Sequence, residues 1–180
     1  MTRDEADTKL RELARETAAA AKGYIEKALQ PIVAGYIAGE LSLGEARERV
    51  MDLAELSSPR IDLMLSTQKR RAQSIGQLAS QDRVQRELYP AWRLVRNAWR
   101  GKPRTDWPER WAAAGASCGF EGALQNDFIA LKDSPIWAAL GRGEGGFRDT
   151  LGDPFPPFAF GSGMGWRRVG REECERLGLI

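Results

Sequence analysis

Three stretches of this sequence carry residue types that can do chemistry. In AWRLVRNAWRGKPR, residues Arg93, Arg96, Arg100, Lys102 and Arg104 stand among Trp92 and Trp99, with no acidic residue between Glu87 and Asp106. Cations interleaved with indoles can follow a phosphate backbone while stacking on its bases. The plainer reading, and the favoured one, is a strand and turn with solvated arginines and tryptophans in the core. The second stretch, GRGEGG at residues 141–146, has the letters of GxGxxG. A pyrophosphate site needs a strand before that loop and a helix after it. Here a helical segment comes first, so a helix-terminating loop is predicted. The third is DPFPPFAFGSGMGW, residues 153–166. Its Ser162 is no nucleophile elbow, because that motif needs one residue between the serine and each glycine.

The chain contains no histidine. Serine and cysteine nucleophiles rely on imidazole as their base, and most catalytic transition-metal sites use it as a ligand, so those classes are argued against. Carboxylate-only chemistry survives that test. Yet Glu121, Asp127, Asp133 and Asp149 show no diagnostic spacing. No catalytic residue, no cofactor and no metal ligand is predicted. The only cysteines, Cys118 and Cys174, form no CxxC pair, which argues against a thiolate zinc site or a disulfide framework.

The elements that would position these stretches have two characters. All six Trp and all six Phe lie after residue 91, whereas the first half is rich in Ala, Leu, Glu and Arg. Leu10, Leu13, Ala14, Ala18, Ala21, Tyr24, Ile25, Ala28 and Leu29 recur at steps of three and four, and Thr2 with Glu5 fits a capping box. A first helix is predicted, ending or kinking near Pro31. Ser42 with Glu45 opens a second helix that turns Leu43, Ala46, Val50, Leu53 and Ala54 inward. Ser58 caps a third, with Pro59 at its first position and Ile75 on its buried side. A short fourth helix runs from about Asp82 to Leu88. Beyond Tyr89 and Pro90 the pattern breaks: AWRLVRNAW and DFIALK read as short strands, and SPIWAALG as a brief capped helix. The fold class expected is α+β and mostly α, with N-terminal helices followed by a small irregular β and aromatic part. At 180 residues one globular unit is the default.

The order of these features resembles one family. TQKRRAQSIGQ (67–77) is followed by YPAWRLVR (89–96), LKDSPIWAALG (131–141) and PFPPFAFGSGM (154–164). That succession is similar to the C-terminal domain of the bacteriophage head morphogenesis proteins, the Mu F-like minor head proteins. In that family a T-x-x-x-x-A-x-x-x-G helix leads to a Pro-Trp strand, an Asp-x-Pro-Ile-Trp segment and a Pro-Pro motif. The resemblance implies a helical lead-in over 1–58 and the family domain over 59–180. The sequence departs from many members in lacking their Cys and His after the strand and their Cys-Arg-Cys after the prolines, so no metal or disulfide role is carried over.

What the resemblance implies is a non-enzymatic minor head protein of a phage or prophage-derived particle. It would be made in the bacterial cytoplasm and carried in the virion, in the head interior or at the portal vertex. Portal and capsid proteins are its expected partners, with packaged DNA as a further contact and self-association in the particle. No membrane contact is expected, since no apolar run approaches the roughly 20 residues needed to span a bilayer. The alternative is a nucleic-acid-binding protein using residues 92–104. Within the Pro-Phe segment, Pro156 and Pro157 are expected to hold the backbone extended, laying Phe155, Phe158 and Phe160 into grooves as a clamp on the domain or on a partner. Gly161, Gly163 and Gly165 then let the chain turn away.

Overall fold

The Ala-, Leu- and Glu-rich first half winds into two long helices, α1 (Arg3–Ile37) and α2 (Leu43–Ala79). The computed structural model describes residues 2–97, 104–120 and 127–180, apart from the Ile61 side chain. Both capping boxes form. The Thr2 amide donates to Glu5 Oε2 at 2.7 Å and the Glu5 amide to Thr2 Oγ1 at 3.2 Å; Ser42 and Glu45 exchange the same pair at 2.7 and 3.3 Å. Each box satisfies amides that an α-helix leaves unpaired at its start.

Neither proline ends its helix, where the sequence suggested an end or a kink near Pro31 and a new start at Ser58: α1 runs through Pro31 and α2 through Pro59. The physical reason lies in where they sit. Pro31 and Pro59 are exposed, and so are Lys27 and Glu55 four residues before them, so water can serve the carbonyls that lose their amide partners. Leu43 and Val50, expected inward, are also exposed.

The described chain divides into two compact units within α2. One is Asp7–Lys69; the other joins the start of the chain, up to Ala6, to Arg70–Ile180. The division lies between the two sequence markers, the end of the lead-in at residue 58 and the break at Tyr89-Pro90. In the first unit α1 closes on Gly39, at φ 75°, where the Glu40 and Leu41 amides both donate to the Gly35 carbonyl. The Arg60 guanidinium lies 5.0 Å over the Tyr24 ring.

The second unit is built on an antiparallel sheet of order β2-β1-β3, with β1 Ala91–Arg96, β2 Ile129–Leu131 and β3 Met164–Val169. Register pairs Trp92 with Ala130 on one side and with Arg168 on the other. Around the sheet are α3 (Arg83–Leu88), α4 (Trp107–Cys118), α5 (Ile136–Arg142) and α6 (Arg171–Arg176). Asp82 caps α3 by accepting the Gln85 amide at 2.7 Å. A small cluster of Ala91, Ile129, Val169 and Cys174 joins the sheet to α6, with Leu131, Leu177 and Leu179 packed against it. The chain is thus α+β and mostly α, as its sequence pattern requires.

Candidate functional site

The aromatic residues of the second half converge. Trp92 of β1 and Trp166 of β3 stack with centroids 5.0 Å apart and planes 7° from parallel. Trp137 of α5 meets Trp166 edge-on at 5.5 Å, Trp111 of α4 at 5.4 Å, and Phe158 face to face at 6.2 Å. Trp137 is held by its indole N–H, which donates to the Leu131 carbonyl at 2.8 Å. Offset and edge-on ring pairs add to the area they bury, so this cluster is the main apolar mass of the unit.

Onto it folds the Pro-Phe segment. Phe155, Pro156, Pro157 and Phe158 are buried, while Phe160 is 43% exposed. The backbone is not extended there: it turns at Pro156 and Pro157, whose connecting peptide bond is cis, and Phe158 takes φ 58°. The turn is bonded from within. The Ala159 amide donates to the Pro157 carbonyl at 2.7 Å, and Ser162 Oγ donates to the same carbonyl at 2.5 Å while accepting the Met164 amide at 3.2 Å. A short ladder closes the other side, Leu151 N to Phe158 O at 2.9 Å and Phe160 N to Asp149 O at 3.3 Å. Gly161 and Gly163, at φ 64° and 72°, do turn the chain; Gly165 does not. It lies inside β3 with the Asn97 amide group so close that a Cβ there would overlap it.

Charged groups lock the segment at both ends. Arg71 of α2 reaches Asp153 with Nε–Oδ2 and Nη2–Oδ2 distances of 2.6 Å, both side chains nearly buried. At the other end Asp149 accepts Arg110 at 2.8 Å and also Arg104. Arg104 donates in addition to the Phe160 carbonyl at 2.9 Å, and Arg110 lies 4.2 Å over the Phe147 ring. Burial, with the Arg110 charge beside it, lowers the pKa of Arg104 from its ordinary value.

The basic stretch is therefore turned largely to internal partners. Arg93 donates to Glu173 at 2.8 Å and lies 3.8 Å from Asp127; Arg96 donates to the Arg104 carbonyl at 2.5 Å; Arg104 is engaged as above. Trp92 is fully buried. Arg100, Lys102 and Trp99 lie outside the described residues. GRGEGG begins inside α5 and holds its left-handed cap, Gly143, whose amide donates to the Ala139 and Leu140 carbonyls; the helix thus ends just beyond Gly141, where the sequence suggested its end. Gly141 has the Asp153 backbone where a side chain would stand. Cys118 and Cys174 are free thiols. Among the described residues no three Cys, Asp or Glu side chains gather as a metal cage, and no helix is long and apolar enough to cross a membrane.

Sequence reasoning missed α4 and β3, which supply Trp111 and Trp166 to the cluster. The signal for α4 was present in Asp106 followed by Pro108 near the helix start. That for β3 was obscured by its flanking glycines. Comparison with protein-family models, curated proteins and solved structures finds no match to this chain.

Proposed function

We propose that this chain is a non-enzymatic minor head component of a phage or prophage-derived particle, acting in capsid assembly beside the portal. One observation carries the reading. The four stretches that resemble the head morphogenesis proteins are tertiary neighbours: Arg71 binds Asp153 beside the Pro-Phe turn, Trp92 leads through Trp166 to Trp137, and Trp137 stacks on Phe158. Segments that share one core are expected to recur together and in order. Support also comes from the helical unit, which presents large apolar side chains to solvent, Ile37 at 78% and Leu56 at 75% exposure among them. Exposed apolar groups of that kind suit protein contact.

The nucleic-acid reading draws less support, because Arg93, Arg96 and Arg104 have internal partners. Co-expression with a phage portal protein tests the proposal; a stable complex with the portal ring is expected. No complex, together with a salt-sensitive DNA shift abolished by neutralising Arg93, Arg96 and Arg100, would transfer the function to the nucleic-acid class.

A further inference from the structure

Lys132 stands immediately after β2, its amide donating to the Pro90 carbonyl at 2.9 Å. Its ammonium lies 4.7 Å over the Trp92 ring, buried from solvent, and among the described residues Nζ has no hydrogen-bond partner. A buried ammonium normally has an acceptor, since three donors left unbonded are costly. The charges around it make matters worse. Arg86 of α3 and Arg168 of β3 both add positive potential at Lys132, and neither forms an ion pair with a described residue. Cys174 of α6 offers negative charge only when ionised, and burial raises its pKa. Asp133 is the nearest carboxylate in sequence, and it makes no ion pair with Lys132.

Beside these groups lies a cavity of about 500 Å³. Leu78, Pro90, Leu131 and Ile180 give it apolar lining, and Gln81, Arg86, Lys132 and Asp133 line it as well. The volume falls in the range of small-molecule sites, which pair apolar walls with a few placed polar groups. A second hollow of about 450 Å³ shares Gln81, Arg86 and Pro90 with it, but there Arg83 and Arg171 are already paired with Glu87 and Glu175. The unneutralised charge is concentrated at Lys132 and Arg86.

We infer that the cavity between Lys132 and Arg86 binds a small organic anion, a carboxylate or a phosphate monoester on a compact apolar body. The anionic head accepts charge-assisted hydrogen bonds from the Arg86 guanidinium, and from the Lys132 ammonium as that flexible side chain swings off the Trp92 face into the cavity. The body lies against Leu78, Leu131 and Ile180. Binding adds negative charge beside Lys132, so it favours protonated Lys132. The ammonium is otherwise pulled down to about 8, first by burial and then by Arg168 and Arg86.

The test uses the full chain, labelled with nitrogen-15, titrated with benzoate and with inorganic phosphate while chloride keeps the ionic strength constant. The Lys132 amide and the Trp92 indole N–H report on the site directly. Expected are saturable shifts at both, and calorimetry near pH 8 recording proton uptake on binding. Saturation with benzoate alone assigns a carboxylate, and with phosphate alone a phosphate ester. Arg86→Gln, a change at an exposed position, should weaken binding at least about tenfold, roughly the loss of one charged hydrogen bond; Lys132→Gln should abolish it. Shifts no larger than those chloride produces, or an unchanged affinity in Arg86→Gln, would overturn the inference even if Lys132→Gln fails to fold.

Discussion

Asp153 is a carboxylate held in the interior beside the Arg71 guanidinium, and the physics of buried pairs makes Arg71 the more informative side to change. Arg71→Met leaves Asp153 buried without that partner, and a loss of about 3–5 kcal/mol in chemical denaturation is expected. Replacing both, as Arg71→Met with Asp153→Leu, should recover much of it, because an apolar pair has no charge to desolvate. Phe158 and Phe160 are two residues apart but energetically unlike. Phe158→Ala opens a hole between Trp137 and Trp166 and should lose about 3–5 kcal/mol, while Phe160→Ser at the surface should stay within about 0.5 kcal/mol. If Phe160→Ser instead reduces assembly without moving the melting point, that ring is the part of the segment that meets a partner. Lys132 adds a pH signature. Its folded pKa, about 8, is below the unfolded value, so the unfolded chain binds the extra proton between those values and stability rises with pH across that window. Thermal melts of the native chain and Lys132→Met should show the native chain gaining relative stability from about pH 8 toward the ordinary lysine value of about 10.4. A gap independent of pH would mean that Lys132 is not strained by its charge.

Among the elements, the long helices depend on local signals that a linear reading catches and on solvent exposure that it does not. The Ser42 hydroxyl and amide hold the Glu45 carboxyl below the usual carboxylate range. A depressed folded pKa stabilises fully above the unfolded value, and the contribution is lost as pH falls through the folded one. Protection of the Glu45 amide against exchange should fall in that acid window, and Glu45→Gln should flatten the dependence. Pro31 and Pro59 show the converse. Proline in a helix interior predicts a break, yet the missing hydrogen bonds face water, and the flanking turns carry each helix through. β3 was hidden for a related reason. Gly165 weakens the strand pattern, but pairing along the whole of β1 overrides propensity, and the missing side chain makes room for Asn97.

At the scale of the molecule, the two units differ in what supports them. Among described side chains of Asp7–Lys69, the buried apolar ones are Leu13 and Ala46; the other unit buries Trp92, Trp111, Trp137 and Phe158 together. Local opening is easiest where few apolar contacts must be broken. Hydrogen exchange should therefore proceed faster through residues 7–69 than through β1 and β3, and a bound partner on the helical unit should slow it there selectively. Equal protection in both units would remove the distinction.

The α-rich character, the two capping boxes, the start of α3 at Asp82 and a helix end within the glycine loop all follow from the sequence alone, because each depends on residues within one or two turns of one another. Tertiary structure alone decided the rest. Arg104 and Arg110 share Asp149, Arg93 turns to Glu173, and Lys132 lies over Trp92 without an acceptor, each bringing together residues about 40 or more positions apart. Whether a cation faces solvent, a carboxylate or an unfilled cavity depends on which distant backbone folds against it, and periodicity along the chain does not encode that choice.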